Sequence, residues 1–201
     1  MILGPDSSSR FADKKIGFAI TASYCTFDDI IIALDALAQT GADIYPILSD
    51  MAQKNSRFHE SGEFIKKIRK ITGKDPIDTI SAAEPLGPSI PMDLMIIAPA
   101  TGNTIAKMAH AIWDTPALMA VKATLRNQRP VLVALFSNDA LGLAGPNIMR
   151  LYNTKNIYFV PFGQDDAVAK PTSMTAKLDL LVDAADEALA GRQIQPAIIS
   201  L

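Results

Sequence analysis

The sequence predicts an α/β fold, a doubly wound parallel sheet enclosed between two helical layers in a single domain. Three observations predict it. Short unbroken apolar runs recur along the chain, the pattern of strands buried on both faces. Helix-length stretches with one apolar face separate those runs. Gly or Pro punctuates most of the joints. The 201 residues are 49% hydrophobic, which suits one sizeable core and the usual size of one domain.

The first run is Ile16-Gly17-Phe18-Ala19-Ile20-Thr21. A polar turn, residues 22–26, leads to a helix over 28–39, where Ile31, Leu34 and Ala38 recur at helical spacing before Gly41 ends it. Asp43-Ile44-Tyr45-Pro46-Ile47-Leu48 is the second strand. A helix follows over 58–71, with Phe64, Ile65, Ile68 and Ile71 on one face, Lys66, Lys67, Arg69 and Lys70 on the solvated face, and Gly73 as its stop. Residues 75–92 are rich in Pro and Gly, so a short strand or turn near 77–80 and then an extended loop are expected. The third strand is Asp93-Leu94-Met95-Ile96-Ile97-Ala98, and Thr101 stands at the N-cap of the helix after it. Pro116 opens another helix to about residue 123, residues 130–136 form the next buried strand, and a helix spans 146–152. The last clear strand is 157–161, and an amphipathic helix over 175–190 closes the domain. Alternation of this kind implies right-handed crossovers in a flavodoxin-like or Rossmann-like three-layer sandwich. Residues 14–201 are assigned to this domain, with no repeat and no linker, and residues 1–13 to a mobile leader.

Composition removes several function classes. Lys+Arg 19 against Asp+Glu 21 leaves a net charge of -2, which gives no electrostatic pull toward nucleic acid or an anionic membrane. A single cysteine, Cys25, supports neither a disulfide framework nor a thiolate metal site, and no metal is expected. Residues 1–13 lack the apolar segment of a signal peptide, and no apolar run approaches the ~20 residues needed to cross a bilayer. A cytoplasmic location is expected.

Ligands of an open parallel sheet bind beyond the carboxyl ends of its strands. Four turns there are polar: Thr21, Ala22, Ser23, Tyr24 and Cys25 after the first strand, Ser49 and Asp50 after the second, Ala98-Pro99-Ala100-Thr101-Gly102-Asn103-Thr104 around the end of the third, and Ser137-Asn138-Asp139 after the fourth. Hydroxyls and small residues at a helix start can hold phosphate oxygens without a lysine. Helix capping alone is the other reading of Thr101, Ser23 and Asn103. The chain has no G-x-G-x-x-G after the first strand and no G-x-x-x-x-G-K-[ST], so a mononucleotide such as FMN fits better than a dinucleotide or a nucleoside triphosphate.

Other residues have two readings each. Lys122 and Arg126, four apart, share a helix face and could grip a dicarboxylate or phosphate, or form a solvated pair. His110 and His59 are acid–base candidates or surface residues, and Cys25 is a thiol at a strand end without a nearby base in sequence. Trp113, Met108 and Met119 could touch a flavin ring or fill core and interface.

The stretch Ile97-Ala98-Pro99-Ala100-Thr101-Gly102-Asn103-Thr104-Ile105-Ala106-Lys107-Met108-Ala109, with Ile112, Asp114 and Pro116, resembles the flavin-binding turn of the homo-oligomeric flavin-containing cysteine decarboxylase superfamily. Thr21-Ala22-Ser23, Ser49, Asn138 and residues 147–163 lie in the matching order, and the resemblance covers residues 15 to about 190. It implies bound FMN, or a phosphate in its place, and a homo-oligomer with flavin between protomers. Residues 16–21 with Ser23, Cys25 and Thr26, residues 83–88, 118–120 with 122–127, 137–143 and 153–165 resemble one branch of that superfamily, one component of a two-component enzyme from spore-forming bacteria. That implies a dicarboxylate substrate that is oxidised, NADP on the separate partner component, and the mother-cell cytoplasm during sporulation. Decarboxylases of the superfamily carry a catalytic His before the third strand, but residues 86–92 contain none, and their substrate motif survives only as Asn138. An independent FMN-dependent decarboxylase and a non-catalytic phosphate- or metabolite-binding scaffold are the rival expectations.

Overall fold

The computed structural model describes residues 9–23, 26–54 and 60–201. Cys25 and His59 lie outside the described residues. Strands β1 (Lys15–Ile20), β2 (Asp43–Leu48), β3 (Leu94–Thr101), β4 (Val131–Ser137) and β5 (Ile157–Phe159) pair in parallel in the order β2-β1-β3-β4-β5. This is the doubly wound arrangement, with strand order reversing between β1 and β3. Helices α1 (Phe27–Ala38) and α2 (Ser61–Thr72) follow β1 and β2. A short α3 (Ile80–Ala83) precedes β3, which is followed by α4 (Gly102–Ala109) and α5 (Pro116–Arg126). Then α6 (Gly145–Tyr152) links β4 to β5, and α7 (Leu181–Leu189) is the last helix.

Alternation along the strands builds two cores. Ile16, Phe18 and Ile20 of β1 face one layer with Leu34 of α1, Ile68 of α2 and Ala185 of α7, while Ala19 faces the other with Ile105, Leu118 and Ile148 of α4, α5 and α6. Gly73 ends α2 in the left-handed conformation at φ 68°, the role expected of it. No helix among the described residues is long and apolar enough to cross a membrane.

The structure corrects the sequence reading in four places. The sheet is mixed rather than all parallel: β7 (Met174–Ala176) pairs antiparallel with β4 and with β6 (Phe162–Gly163). The cause is the shortness of β5, which covers β4 only at Val131, Leu132 and Val133 and leaves the edge at Phe136 and Ser137 for β7. The helix expected over 175–190 therefore begins only at Leu181, after a 3₁₀ turn at Leu178–Leu180. The loop expected after residue 80 contains α3 and a 3₁₀ turn at Glu84–Leu86; Thr79 Oγ1 accepts from Ala82 N at 3.2 Å, and Ala83 and Leu86 are buried. Finally, residues 9–13 are docked rather than a free leader. Phe11 is 2% exposed, and Arg10 reaches Asp183 at 2.8 Å and Asp186 at 2.9 Å on α7.

Candidate functional site

The parallel register sets the ends of β1 and β3 side by side, with Ala19 opposite Ile97. Beyond that pair β3 bulges: Ile97 pairs with Val133 but Ala100 with Leu135, three steps against two. Pro99 sits in the bulge, where a residue without an N–H does least harm to the ladder. The extra residue changes the side-chain phase, so Ala98 packs into one core and Ala100, with Ile97, into the other. Ala98 and Ala100 are both fully buried; they shape the turn from behind and do not face a ligand.

Thr21 ties the two strand ends together. Its side chain is 3% exposed; Oγ1 donates to the Pro99 carbonyl at 2.6 Å and accepts from Thr101 N at 3.3 Å. Thr101 is the N-cap of α4, as expected: its Oγ1 accepts from Thr104 N at 3.4 Å and lies 3.1 Å from Thr104 Oγ1. The first N–H groups of a helix find no acceptor within it, so those of Gly102 and Asn103 open the α4 start to an anion. Gly102 is needed for space: a Cβ there would lie 2.8 Å from Ser137 Oγ, itself 8% exposed. Ser49 N donates to the Ile20 carbonyl at 3.0 Å and Ser49 Oγ accepts from Ala52 N at 3.3 Å, which folds the turn after β2 toward the same place.

These groups border a cleft of about 590 Å³ lined by Thr21, Ala22, Ser49, Thr101, Asn103 and Thr104, within the range of small-ligand sites. Of the expected residues, those six share the cleft, and Pro99 and Gly102 support it. Ser137 lies behind Gly102, and its Oγ accepts from Asp139 N at 3.4 Å. Asn138 is exposed, and its carbonyl accepts from Thr172 Oγ1 at 2.6 Å. Ser23 turns the chain toward α1, its carbonyl accepting from Thr26 Oγ1 at 2.8 Å. None of the three lines the cleft. Lys122 and Arg126 do not line it either. Lys122 is exposed, and Arg126 lies eight residues beyond cleft-lining Leu118 on α5, roughly 12 Å along the helix axis. His110 is the C-cap of α4 and does not line the cleft, while Met108 is core and Trp113 and Met119 pack against it.

The cleft is also lined by Asp50, Lys107 and Asp114, which the sequence reading placed in the polar turn or the resembling stretch without giving them a role, and by Met51, Lys54, Thr115 and Leu118, which it did not select. Asp114-Thr115-Pro116 carried a readable signal, a cap followed by proline. Thr115 Oγ1 accepts from Leu118 N at 3.2 Å. Two helix starts, of α4 and α5, thus open on one cleft. Among the described residues its carboxylates Asp50 and Asp114 match Lys54 and Lys107 in number, and the helix ends and hydroxyls add attraction for an anion. That donor set fits a phosphoryl group.

The chain matches the Flavoprotein family model over residues 6–182. It is 48% identical over 192 residues to the B subunit of dipicolinate synthase from Bacillus subtilis, covering 95% of this chain and 96% of that one. The crystal structure of the corresponding dipicolinate synthase B subunit from Bacillus halodurans superimposes with a TM-score of 0.89 at 46% identity, over 95% of this chain and 98% of that one. The FMN-dependent cysteine decarboxylase SpaF shares the fold, with a TM-score of 0.66 at 20% identity over 89% of this chain and 98% of that one.

Proposed function

This chain belongs to the Flavoprotein family, and from that premise we propose that it is the B subunit of a dipicolinate synthase that binds FMN, or a phosphate in its place, at the α4 start. The observation that carries this reading is the near full-length match to the Bacillus subtilis protein. In this reading the separate A subunit of dipicolinate synthase is the partner and holds NADP, and the two together oxidise dihydrodipicolinate, or its hydroxy-tetrahydro precursor, to dipicolinate. The setting is the mother-cell cytoplasm of a sporulating bacterium, and the chain works as a homo-oligomer. Exposed Ile112, Leu141, Leu143 and Met149 supply apolar surface for that assembly.

Thr101 and Thr104 hydroxyls, with the Gly102 and Asn103 N–H groups, hold the phosphate of the cofactor. Thr21 keeps Thr101 in register with the end of β1, so the cradle is positioned before a ligand arrives. Bound FMN supplies two-electron redox chemistry to the cleft. The decarboxylase reading is set aside because residues 86–92 hold no histidine to serve as its acid–base group.

A coupled assay tests the proposal. The NADP-bearing partner together with this chain is expected to form dipicolinate, and the partner without it to form little. If the partner reaches the full rate unaided, this chain has no catalytic part. An absorbance spectrum of the purified full chain, after incubation with FMN and removal of the free cofactor, is expected to keep the flavin bands. Loss of those bands in wild type overturns the cofactor assignment. Unchanged synthase activity and assembly in a Thr101→Ala, Asn103→Ala double variant would leave a scaffold.

A further inference from the structure

Lys107 is a cation built into the wall of the cleft. It follows Thr104 by three residues on α4, on the same face. Its Nζ lies 3.0 Å from Oδ1 and 2.8 Å from Oδ2 of Asp114, the residue before the Thr115 cap. The Lys107 side chain is 25% exposed, against 52% for Asp114, so the lysine is the better sheltered partner. An ammonium has three N–H donors. With one on each Asp114 oxygen, one remains for an incoming acceptor. Lys54, the other lysine of the cleft, is exposed, and ordering it on a ligand costs more side-chain entropy. Along α4, Thr101 and Lys107 are six residues apart, roughly 9 Å. A phosphate at the helix start and a carboxylate at Lys107 can therefore occupy the cleft together.

We propose that Lys107 is the specificity residue of this cleft, receiving one carboxylate of the dicarboxylate on its free N–H, with Asp114 as the resident counter-ion. Asp114 fixes the ammonium when no substrate is bound, and its negative charge opposes the incoming dicarboxylate. The two members of the ion pair thus act on binding with opposite sign. A pair that only braces α4 against α5 predicts the same sign for both. This inference rests on the dicarboxylate reading above, and the test separates the two.

Pyridine-2,6-dicarboxylate is titrated calorimetrically into the FMN-incubated full chain, with thermal melting of each variant alongside. Lys107→Gln is expected to weaken binding by roughly 10–100-fold, the value of one charge-assisted hydrogen bond. Lys107→Arg is expected to restore most of it. Asp114→Asn is expected to tighten binding several-fold or more, while lowering the melting temperature about as much as Lys107→Gln does. Equal affinity in wild type and Lys107→Gln, or weaker binding in Asp114→Asn, overturns the role of Lys107 and leaves the dicarboxylate reading standing. No binding by wild type overturns that reading, and this inference with it.

Discussion

Replacing Thr21 by Val keeps the shape of the side chain and removes the hydroxyl that joins β1 to the β3–α4 turn. In the native protein that hydroxyl donates to Pro99 O at 2.6 Å and accepts from Thr101 N at 3.3 Å, at a side chain 3% exposed. Each buried group left unpaired costs about 1–3 kcal/mol. The Thr101 contact is long and half-buried, so it belongs at the low end, and the sum is roughly 2–4 kcal/mol. For a domain of this length that corresponds to a fall in melting temperature of roughly 4–16 °C. Urea denaturation measures the stability, and FMN titration followed by flavin fluorescence measures the cradle. Affinity is expected to drop by about tenfold as the Thr101 N–H loses its anchor. Thr21→Ser, which retains the hydroxyl, is expected to recover most of both losses. A Thr21→Val protein with an unchanged urea midpoint and unchanged FMN affinity would refute the claim that this residue sets the turn.

Gly102→Ala is expected to cost about 1–3 kcal/mol, because its Cβ would lie 2.8 Å from Ser137 Oγ. The Gly102→Ala, Ser137→Ala double variant removes that oxygen and leaves a contact of 3.7 Å to Cβ; thermal melts should show it more stable than the sum of the single effects. Phe11→Ala empties a site 2% exposed and is expected to destabilise by about 3–5 kcal/mol in urea titrations; a change below about 0.5 kcal/mol would return residues 9–13 to the status of a leader. Partial burial pushes the Asp43 carboxyl up, but the hydrogen bond and charge of Lys74 outweigh it and hold the carboxyl below the ordinary range. Its stabilisation is present above about pH 4 and is lost as the pH falls through the lowered value. Asp43→Asn should accordingly lower the urea midpoint at neutral pH and converge on wild type in acid. A difference from wild type that persists undiminished in acid would refute that linkage.

The parallel strands β1 to β4 were legible because both of their faces are buried, which writes unbroken apolar runs into the chain. The cap at Thr101 was legible too, since it acts on a backbone N–H only three residues away; Thr115 acts over the same span but was passed over for Pro116 beside it. Strand β7 was not: Met174–Ala176 is three residues long, and only an open edge at Phe136 and Ser137 makes it a strand. Phe11 gave no sign because one aromatic residue has no period, and its burial depends on contacts with the distant core. The same distinction divides the site. The turn at residues 98–104 announced itself through local chemistry, whereas Lys107 and Asp114 are joined by the way α4 and α5 fold back at the mouth of the cleft.

Sequence by itself therefore determined the layered architecture, the strand ends where a ligand could sit and the helix starts that favour an anion, because each rests on periodicity or on hydrogen bonds spanning a few residues. Tertiary structure alone decided which polar residues meet. It placed Thr21 against Pro99, separated by 78 positions, set Lys107 in the cleft wall, and left Lys122 and Arg126 outside it along α5. Those outcomes depend on strand order, on the bulge in β3 and on the path of α5, quantities that arise only when distant segments pack.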